Sequence, residues 1–286
     1  MKILITGSKG MLAQAVIKRL NKHELVLTDT EELDITNESG VLKYIGNLKP
    51  EYIINCAAYT AVDKAEENET IAQKVNGDGP GNLAKAAKEV NATIIHISTD
   101  YVFDGELNVE NEYFEDDKTE PVTIYGKTKL SGEQNIVKNT DKYYIFRTAW
   151  LYGEGNNFVR TMLKLGKVKE KLNVVADQHG SPTYTVDLAN IVGHAIENNI
   201  PYGIYHSTNQ GFTTWCDFTK KIFEYANIKC DVNPVTTEEY IKMMNIVQAK
   251  RPSNSKLNKA KLIETGFKIP TWEQSLERYL IEEKEI

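Results

Sequence analysis

Residues 2–15 read KILITGSKGMLAQA. A short apolar run, Lys2 to Thr6, stops at Gly7, and Gly10 follows three residues later. Beyond Gly10 the residues are mostly good helix formers. The pattern predicts a strand, a tight loop and a helix, in that order. Gly7, Gly10 and Ala13 form G-x-x-G-x-x-A. Glycine lets a backbone turn sharply and come close to a ligand, and a small third residue lets the helix lie near the strand. Backbone N–H groups at a helix N-terminus suit an anion such as a dinucleotide pyrophosphate. Met11 and Leu12 open that helix and join Gly7 and Gly10 as candidate cofactor contacts. The glycine spacing differs from G-x-G-x-x-G, and a plain tight turn is the alternative reading.

The same rhythm continues outward. ELVLTD (24–29), EYIINCAA (51–58), ATIIHIS (92–98) and YYIFRTAW (143–150) read as strands. Stretches 39–49, 70–90 and the segment from Pro121 read as helices between them. The strand runs are apolar rather than alternating, which fits burial on both faces. Strand and helix in alternation predict an α/β fold, a Rossmann-type doubly wound parallel sheet. After Trp150 the rhythm loosens into short strands (NVVA, GIYHST) and loops (DQHGSPT, KRPSNSKLNKAKL). That predicts a smaller, partly interleaved C-terminal α/β substrate-binding region. The expected division gives residues 1–149 and about 173–206 to the dinucleotide, and about 150–172 and 207–286 to the substrate.

Composition excludes several classes. The chain has 286 residues, 41% hydrophobic and 26% charged, with net charge −6. No basic face shows, so a nucleic-acid partner is not expected. Three distant cysteines suggest a reducing compartment, and five scattered histidines show no metal-ligand spacing. The chain opens directly on a strand pattern, with no targeting segment and no run long enough to span a membrane. The expectation is a cytoplasmic protein. Residues 104–120 hold eight carboxylates with Lys118 the one cation among them, either a solvated loop or a lid.

Asp29 closes the second strand, roughly 20 residues after the glycines. A carboxylate there accepts from both ribose hydroxyls of an adenosine and repels a 2′-phosphate. No arginine follows it in TDTEELDITN (28–37). NADH is therefore favoured, with NADPH the alternative cofactor. Asp34 and Ile35 either flank the adenine or belong to a plain surface loop. Ala57, Ala58 and Thr60 follow the third strand, where they would line the adenosine and the nicotinamide ribose. Cys56 reads as a small buried residue.

Tyr125 and Lys129, in PVTIYGKTKLSGE (121–133), stand four apart and share a helix face. Spacing alone decides nothing, since Tyr225 and Lys229 repeat it. The context differs: a dinucleotide loop lies upstream, and Thr99 follows a buried strand, 26 residues before Tyr125. The combination resembles the extended short-chain dehydrogenase/reductases. In order, GSKGMLA, NCAAYTAVDKAE, STDYVFDG, YGKTKLSGE, FRTAWLYG, GNNF, DQHGSPT and RPSNSKL run along nearly the whole chain. Together they resemble the dTDP-4-dehydrorhamnose reductase family.

That resemblance implies NAD(P)H-dependent reduction of the 4-keto group of a nucleotide sugar, dTDP-4-dehydro-L-rhamnose. It implies catalysis by Thr99, Tyr125 and Lys129, and contact between Trp150 and the sugar. Asp100 is followed by Tyr101, whereas the related 4,6-dehydratases carry an Asp–Glu pair there. Tyr125 would be the general acid, its pKa lowered by Lys129 together with the nicotinamide cation left after hydride transfer, with Lys129 also holding the cofactor and Thr99 bonding the same oxygen. Substrate contacts are expected at Thr99, Asp100, Tyr125, Trp150, Asn156 and Arg251. Arg251, with Lys250, would meet the diphosphate. Bland alternatives stand beside these: core packing for Trp150, a turn or cap for Asn156 and Asn157, and a surface pair for Lys250 and Arg251. Some members of the family dimerise through a metal held by helix carboxylates. The first helix, MLAQAVIKRLN (11–21), carries none, so no metal is expected and a homodimer is left open. Two other functions compete: a nucleotide-sugar 4-epimerase, and a non-catalytic partner resembling the β subunit of methionine adenosyltransferase.

Overall fold

The computed structural model describes residues 1–284. Its central sheet has six strands: β1 (Lys2–Thr6), β2 (Glu24–Thr28), β3 (Tyr52–Asn55), β4 (Thr93–Thr99), β5 (Tyr143–Thr148) and β6 (Gly203–His206). They lie in the order β2-β1-β3-β4-β5-β6, and every neighbouring pair is parallel. The order reverses between β1 and β3, which opens a crevice at the carboxyl ends of the strands.

Side chains alternate across the sheet, so each strand feeds two cores. Ile3 and Ile5 join one layer, under the helices Met11–Arg19 and Thr185–Asn198. Leu4 joins the other, with the helices Glu38–Leu48, Gly79–Glu89 and Ile124–Asn139. This is the doubly wound sheet that the strand rhythm predicts. β2 departs from the expected double burial. It forms the sheet edge, and Leu27 stays 44% exposed.

Two helix predictions are corrected by local chemistry. The helix expected from Pro121 starts at Ile124, because the Thr123 hydroxyl accepts from the Gly126 N–H at 3.0 Å and caps it. The helix expected over 70–90 is broken by a π-helical turn at Lys74–Asp78. That turn aims Asn76 inward. Its amide accepts from Tyr59 N (2.8 Å) and donates to Tyr59 O (3.0 Å), pinning the loop that carries Ala57, Ala58 and Thr60.

The C-terminal region has its own aromatic core, built on Tyr152, Tyr184, Phe218, Trp272 and Tyr279. Beside it, the strand Lys171–Val175 pairs with Asp231–Val235. A small sheet joins His179–Gly180 to Thr213–Thr214 and Asn254–Ser255. The chain returns to the main sheet through the Thr185–Asn198 helix and β6, so the two cores interleave. The acidic stretch is stitched to the chain near its end: Tyr113 bridges to Leu257, and Asn258 donates to Glu112. Among the described residues no helix is long and apolar enough to cross a membrane.

Candidate active site

The glycine loop is built for close approach. Gly7 has φ +63°, and a Cβ there would stand 2.7 Å from the Ala57 backbone. The loop after β1 therefore lies against the loop after β3. Gly10 is the N-cap of the Met11–Arg19 helix, and no side chain caps that end. Its first N–H groups thus remain available to an anion. The Asp29 carboxylate sits beside the loop, accepting from Lys9 N at 3.3 Å and Thr30 N at 2.9 Å. These features fit a dinucleotide. Asp34 instead closes a turn on Thr36 N (2.9 Å), and Ile35 is a core residue 5% exposed.

Below the loop a cavity of about 500 Å³ gathers most of the remaining candidates. Gly10, Met11 and Leu12 line one side, and Ala57, Ala58 and Thr60 another. Thr99, Asp100, Tyr125, Lys129, Trp150 and Asn156 complete it. A second cavity of about 620 Å³ shares Thr60, Val62, Tyr101 and Trp150 with the first and reaches Arg251. None of residues 104–120 lines either one.

Tyr125 and its neighbours are held tightly. Gly126 carries no side chain because a Cβ would lie 2.2 Å from the Tyr101 carbonyl oxygen. That contact seats the Ile124–Asn139 helix on the turn after β4 and brings Tyr125 to Thr99 and Asp100. Thr99 donates to the Asp100 carboxylate at 2.9 Å. Burial first, and then the Asp100 charge, push the Tyr125 phenol above its ordinary pKa, with Thr99 pulling the other way. Lys129 is 2% exposed. Its Nζ donates to the Ile97 carbonyl at 2.6 Å and lies 3.3 Å from His96 Nε2. Burial lowers its pKa to about 8, against Glu133 and Cys56. The lowering expected from Lys129 belongs to the state with an oxidised nicotinamide beside the phenol; in the protein alone burial and Asp100 set the direction, and the Lys129 Nζ is engaged by the Ile97 carbonyl. Asp100 is buried as well, and desolvation raises it to about 6 despite hydrogen bonds from Ser255 and Thr99.

The other candidates divide. Trp150 has φ +50°, in the left-handed region, and stacks on Trp215 with centroids 3.8 Å apart. It is a packing residue and a cavity wall at once. Asn156 is exposed at the rim, while Asn157 caps the Phe158–Gly166 helix through Arg160 N. Arg251 is paired with Asp63, and Lys250 turns away to Glu106. Cys56 is half-buried with its thiol pushed up to about 12. Tyr225 packs in the C-terminal core. Among the described residues, no cluster of three or more His, Cys, Asp or Glu side chains is placed to hold a metal.

Sequence reading missed Tyr101, Ser255 and Trp215. Tyr101 meets Tyr125 edge-on at 5.4 Å, and Ser255 reaches Asp100 from 155 residues away. Only the motif STDYVFDG carried a signal for Tyr101. Ser255 and Trp215 are placed by the small sheet and the aromatic core, which no local pattern announces.

Residues 1–285 match the RmlD substrate binding domain family. The chain belongs to that family. It is 41% identical over 292 residues to the dTDP-4-dehydrorhamnose reductase of Aggregatibacter actinomycetemcomitans, covering 96% of this chain and 97% of the relative. The structure matches the crystal structure of a dTDP-4-dehydrorhamnose reductase from Clostridium acetobutylicum with a TM-score of 0.94, at 47% identity and full coverage of both chains. It also matches the Bacillus anthracis dTDP-4-dehydrorhamnose reductase in complex with NADP, with a TM-score of 0.92, 43% identity and 98% and 99% coverage. The protein is thus an oxidoreductase that uses a nicotinamide cofactor. Relatives at this identity favour the reductase over the epimerase and the regulatory subunit.

Proposed function

We propose that the protein reduces the 4-keto group of dTDP-4-dehydro-L-rhamnose, giving dTDP-L-rhamnose for polysaccharide synthesis. NADH is the favoured cofactor and NADPH the alternative. One observation carries the reading: Thr99, Tyr125 and Lys129 line a single cavity that opens on the glycine loop.

Gly7, Gly10, Met11 and Leu12 would hold the pyrophosphate, with Asp29 at the adenosine ribose. Asp34 and Ile35 would flank the adenine through their backbone, and Ala57, Ala58 and Thr60 would line the rest. A bound nicotinamide supplies the hydride. Tyr125 supplies the proton to the carbonyl oxygen, and its raised pKa keeps that proton on the phenol at neutral pH. Thr99 donates to the same oxygen, and Lys129 holds the cofactor and backs the phenol. Trp150, Asp100 and Asn156 would bound the sugar. The neighbouring cavity takes the nucleotide, and Arg251 meets its diphosphate. In this reading residues 1–149 and about 181–206 serve the cofactor, and about 150–180 and 207–286 serve the substrate; the expected break at 173 moves because Asn173, Val174, Val175 and Gln178 line the cavity given to the nucleotide.

The test is incubation with NADH and freshly made dTDP-4-dehydro-L-rhamnose, following loss of reduced cofactor and the product. Stoichiometric NADH consumption with dTDP-L-rhamnose formed is expected. Interconversion of sugars without net consumption would point to the epimerase, and no turnover with either cofactor would overturn the proposal.

A further inference from the structure

A line of buried polar side chains runs under the active site. Thr6, Asn55 and His96 are register partners on β1, β3 and β4, one rung of the sheet. Each is 1% exposed. The rung below, Leu4–Ile53–Ile94, is apolar on the same face. Three polar groups in such a layer cost stability unless every one is bonded. Here they are, and the chain of bonds ends at Lys129.

The hydrogen bonds fix the histidine tautomer. The Ala57 backbone N–H can only donate, and it points at Asn55 Oδ1 at 3.2 Å. Thr6 Oγ1 donates to the same oxygen at 2.7 Å. The Asn55 amide nitrogen therefore faces His96, donating to Nδ1 at 3.0 Å. With Nδ1 an acceptor, the proton of the neutral ring sits on Nε2. Nε2 lies 3.3 Å from Lys129 Nζ, which itself donates to the Ile97 carbonyl. A donor aimed at an amine favours the form that has a lone pair to offer.

We propose that His96 is a positioning residue for Lys129: its Nε2–H, locked by Asn55 and Thr6, steadies the neutral amine and so lets the lysine surrender a proton to Tyr125. The proposal rests on the reductase reading. In each turnover the phenol gives its proton to the carbonyl oxygen. The resulting phenolate is reprotonated at the expense of the Lys129 ammonium, leaving a neutral amine that accepts from His96. The ammonium then reforms with a proton from solvent. The other groups facing Lys129 do not replace this role. The Cys56 thiol, after β3, stays protonated, and Glu133, on the same helix, is engaged by Arg147. The lysine pKa of about 8 and a histidine held well below its ordinary value agree with the arrangement.

The test separates the two ring nitrogens. Asparagine at this position can keep the contact to Asn55 but has no atom at the Nε2 site. Glutamine can place an amide nitrogen there. Long-range ¹H–¹⁵N NMR of histidine-labelled parent protein should show the Nε2–H tautomer for His96. Lysine NMR should show Lys129, assigned as the signal missing from Lys129→Met, titrating about one pH unit higher in His96→Asn. The alkaline fall in kcat/KM should move with it, and His96→Gln should restore both toward the parent. An Nδ1–H tautomer, or a Lys129 titration unmoved in His96→Asn, would overturn the proposal. If His96→Asn does not fold, the parent tautomer decides alone. The tautomer and the titration need no substrate, so a protein without reductase turnover would sink the reductase reading and still leave this test decisive.

Discussion

Arg251 and Asp63, 188 residues apart, form a two-pronged ion pair beside the larger cavity, with both carboxylate oxygens within 2.8 Å of one guanidinium nitrogen. Asp63 also accepts from the Ala249 backbone at 2.9 Å, so it orients the whole approach to the arginine. A diphosphate entering that cavity would meet an arginine already fixed in place. Arg251→Ala should raise the KM for dTDP-4-dehydro-L-rhamnose by about 10- to 150-fold, the loss of a charged hydrogen bond. NADH affinity should hardly change, because the cofactor pyrophosphate is assigned to Gly7 and Gly10. Paired titrations with NADH and dTDP check this. Weakened NADH binding with unchanged dTDP binding would move Arg251 to the other pocket.

Tyr125 stands within reach of Thr99 and Asp100 and keeps its proton at neutral pH. Tyr125→Phe should fold and bind NADH like the parent while kcat falls about 10²- to 10⁴-fold, the usual worth of general acid catalysis. Single-turnover kinetics with saturating cofactor measure it. A rate within threefold of the parent would remove the phenol from the mechanism.

The legible parts of this chain are those whose physics is local. β1, the glycine turn and the first helix follow from fourteen consecutive residues, because hydrophobic period and glycine freedom act over that range. Tyr125 and Lys129 follow from one helical turn. The C-terminal contributions were illegible for the opposite reason. Ser255 reaches Asp100 only because Asn254–Ser255 pairs with His179–Gly180, and Trp215 meets Trp150 only because two cores abut. The electrostatics also escaped the sequence. A lysine four residues from a tyrosine suggests a phenol pKa lowered once the nicotinamide cation forms, but the resting value is raised by burial, which depends on the whole fold.

Asp29 lies beside the glycine loop, its carboxylate accepting from the Lys9 and Thr30 amides, and the proposed function sets it at the adenosine ribose. A fixed negative charge there opposes a 2′-phosphate. NADH should show the higher kcat/KM, and Asp29→Ala should narrow its advantage over NADPH. Equal efficiency with both cofactors in the parent would contradict the assignment.

Glu133 and Arg147 form an ion pair at 2.8 Å with both side chains 3% exposed. The pair ties the helix of Tyr125 and Lys129 to β5. Glu133→Ala would leave a guanidinium buried without its partner, which typically costs about 3–5 kcal/mol. Urea unfolding at neutral pH should show a loss of that order. A loss below about 1 kcal/mol would mean that water or another acceptor reaches Arg147.

Asp100 makes stability depend on pH in an unusual direction. It is 4% exposed, and its pKa rises from 3.8 to about 6, chiefly through desolvation. A carboxyl with a raised folded pKa binds its proton more tightly in the folded state than in the unfolded chain. Ionising it therefore costs stability, and the cost is complete above pH 6. As the pH falls from about 6 toward 4 the folded protein keeps the proton that the unfolded chain lacks, and the cost is relieved. Asp100→Asn carries no ionisable group and is free of this term. Between pH 7 and pH 5 the parent should gain about 1 kcal/mol relative to the variant. Urea unfolding of both proteins at the two pH values measures the difference, in which the other titrating groups cancel. Parallel stabilities would mean that the carboxylate is better solvated or better bonded than its burial between Thr99 and Ser255 implies.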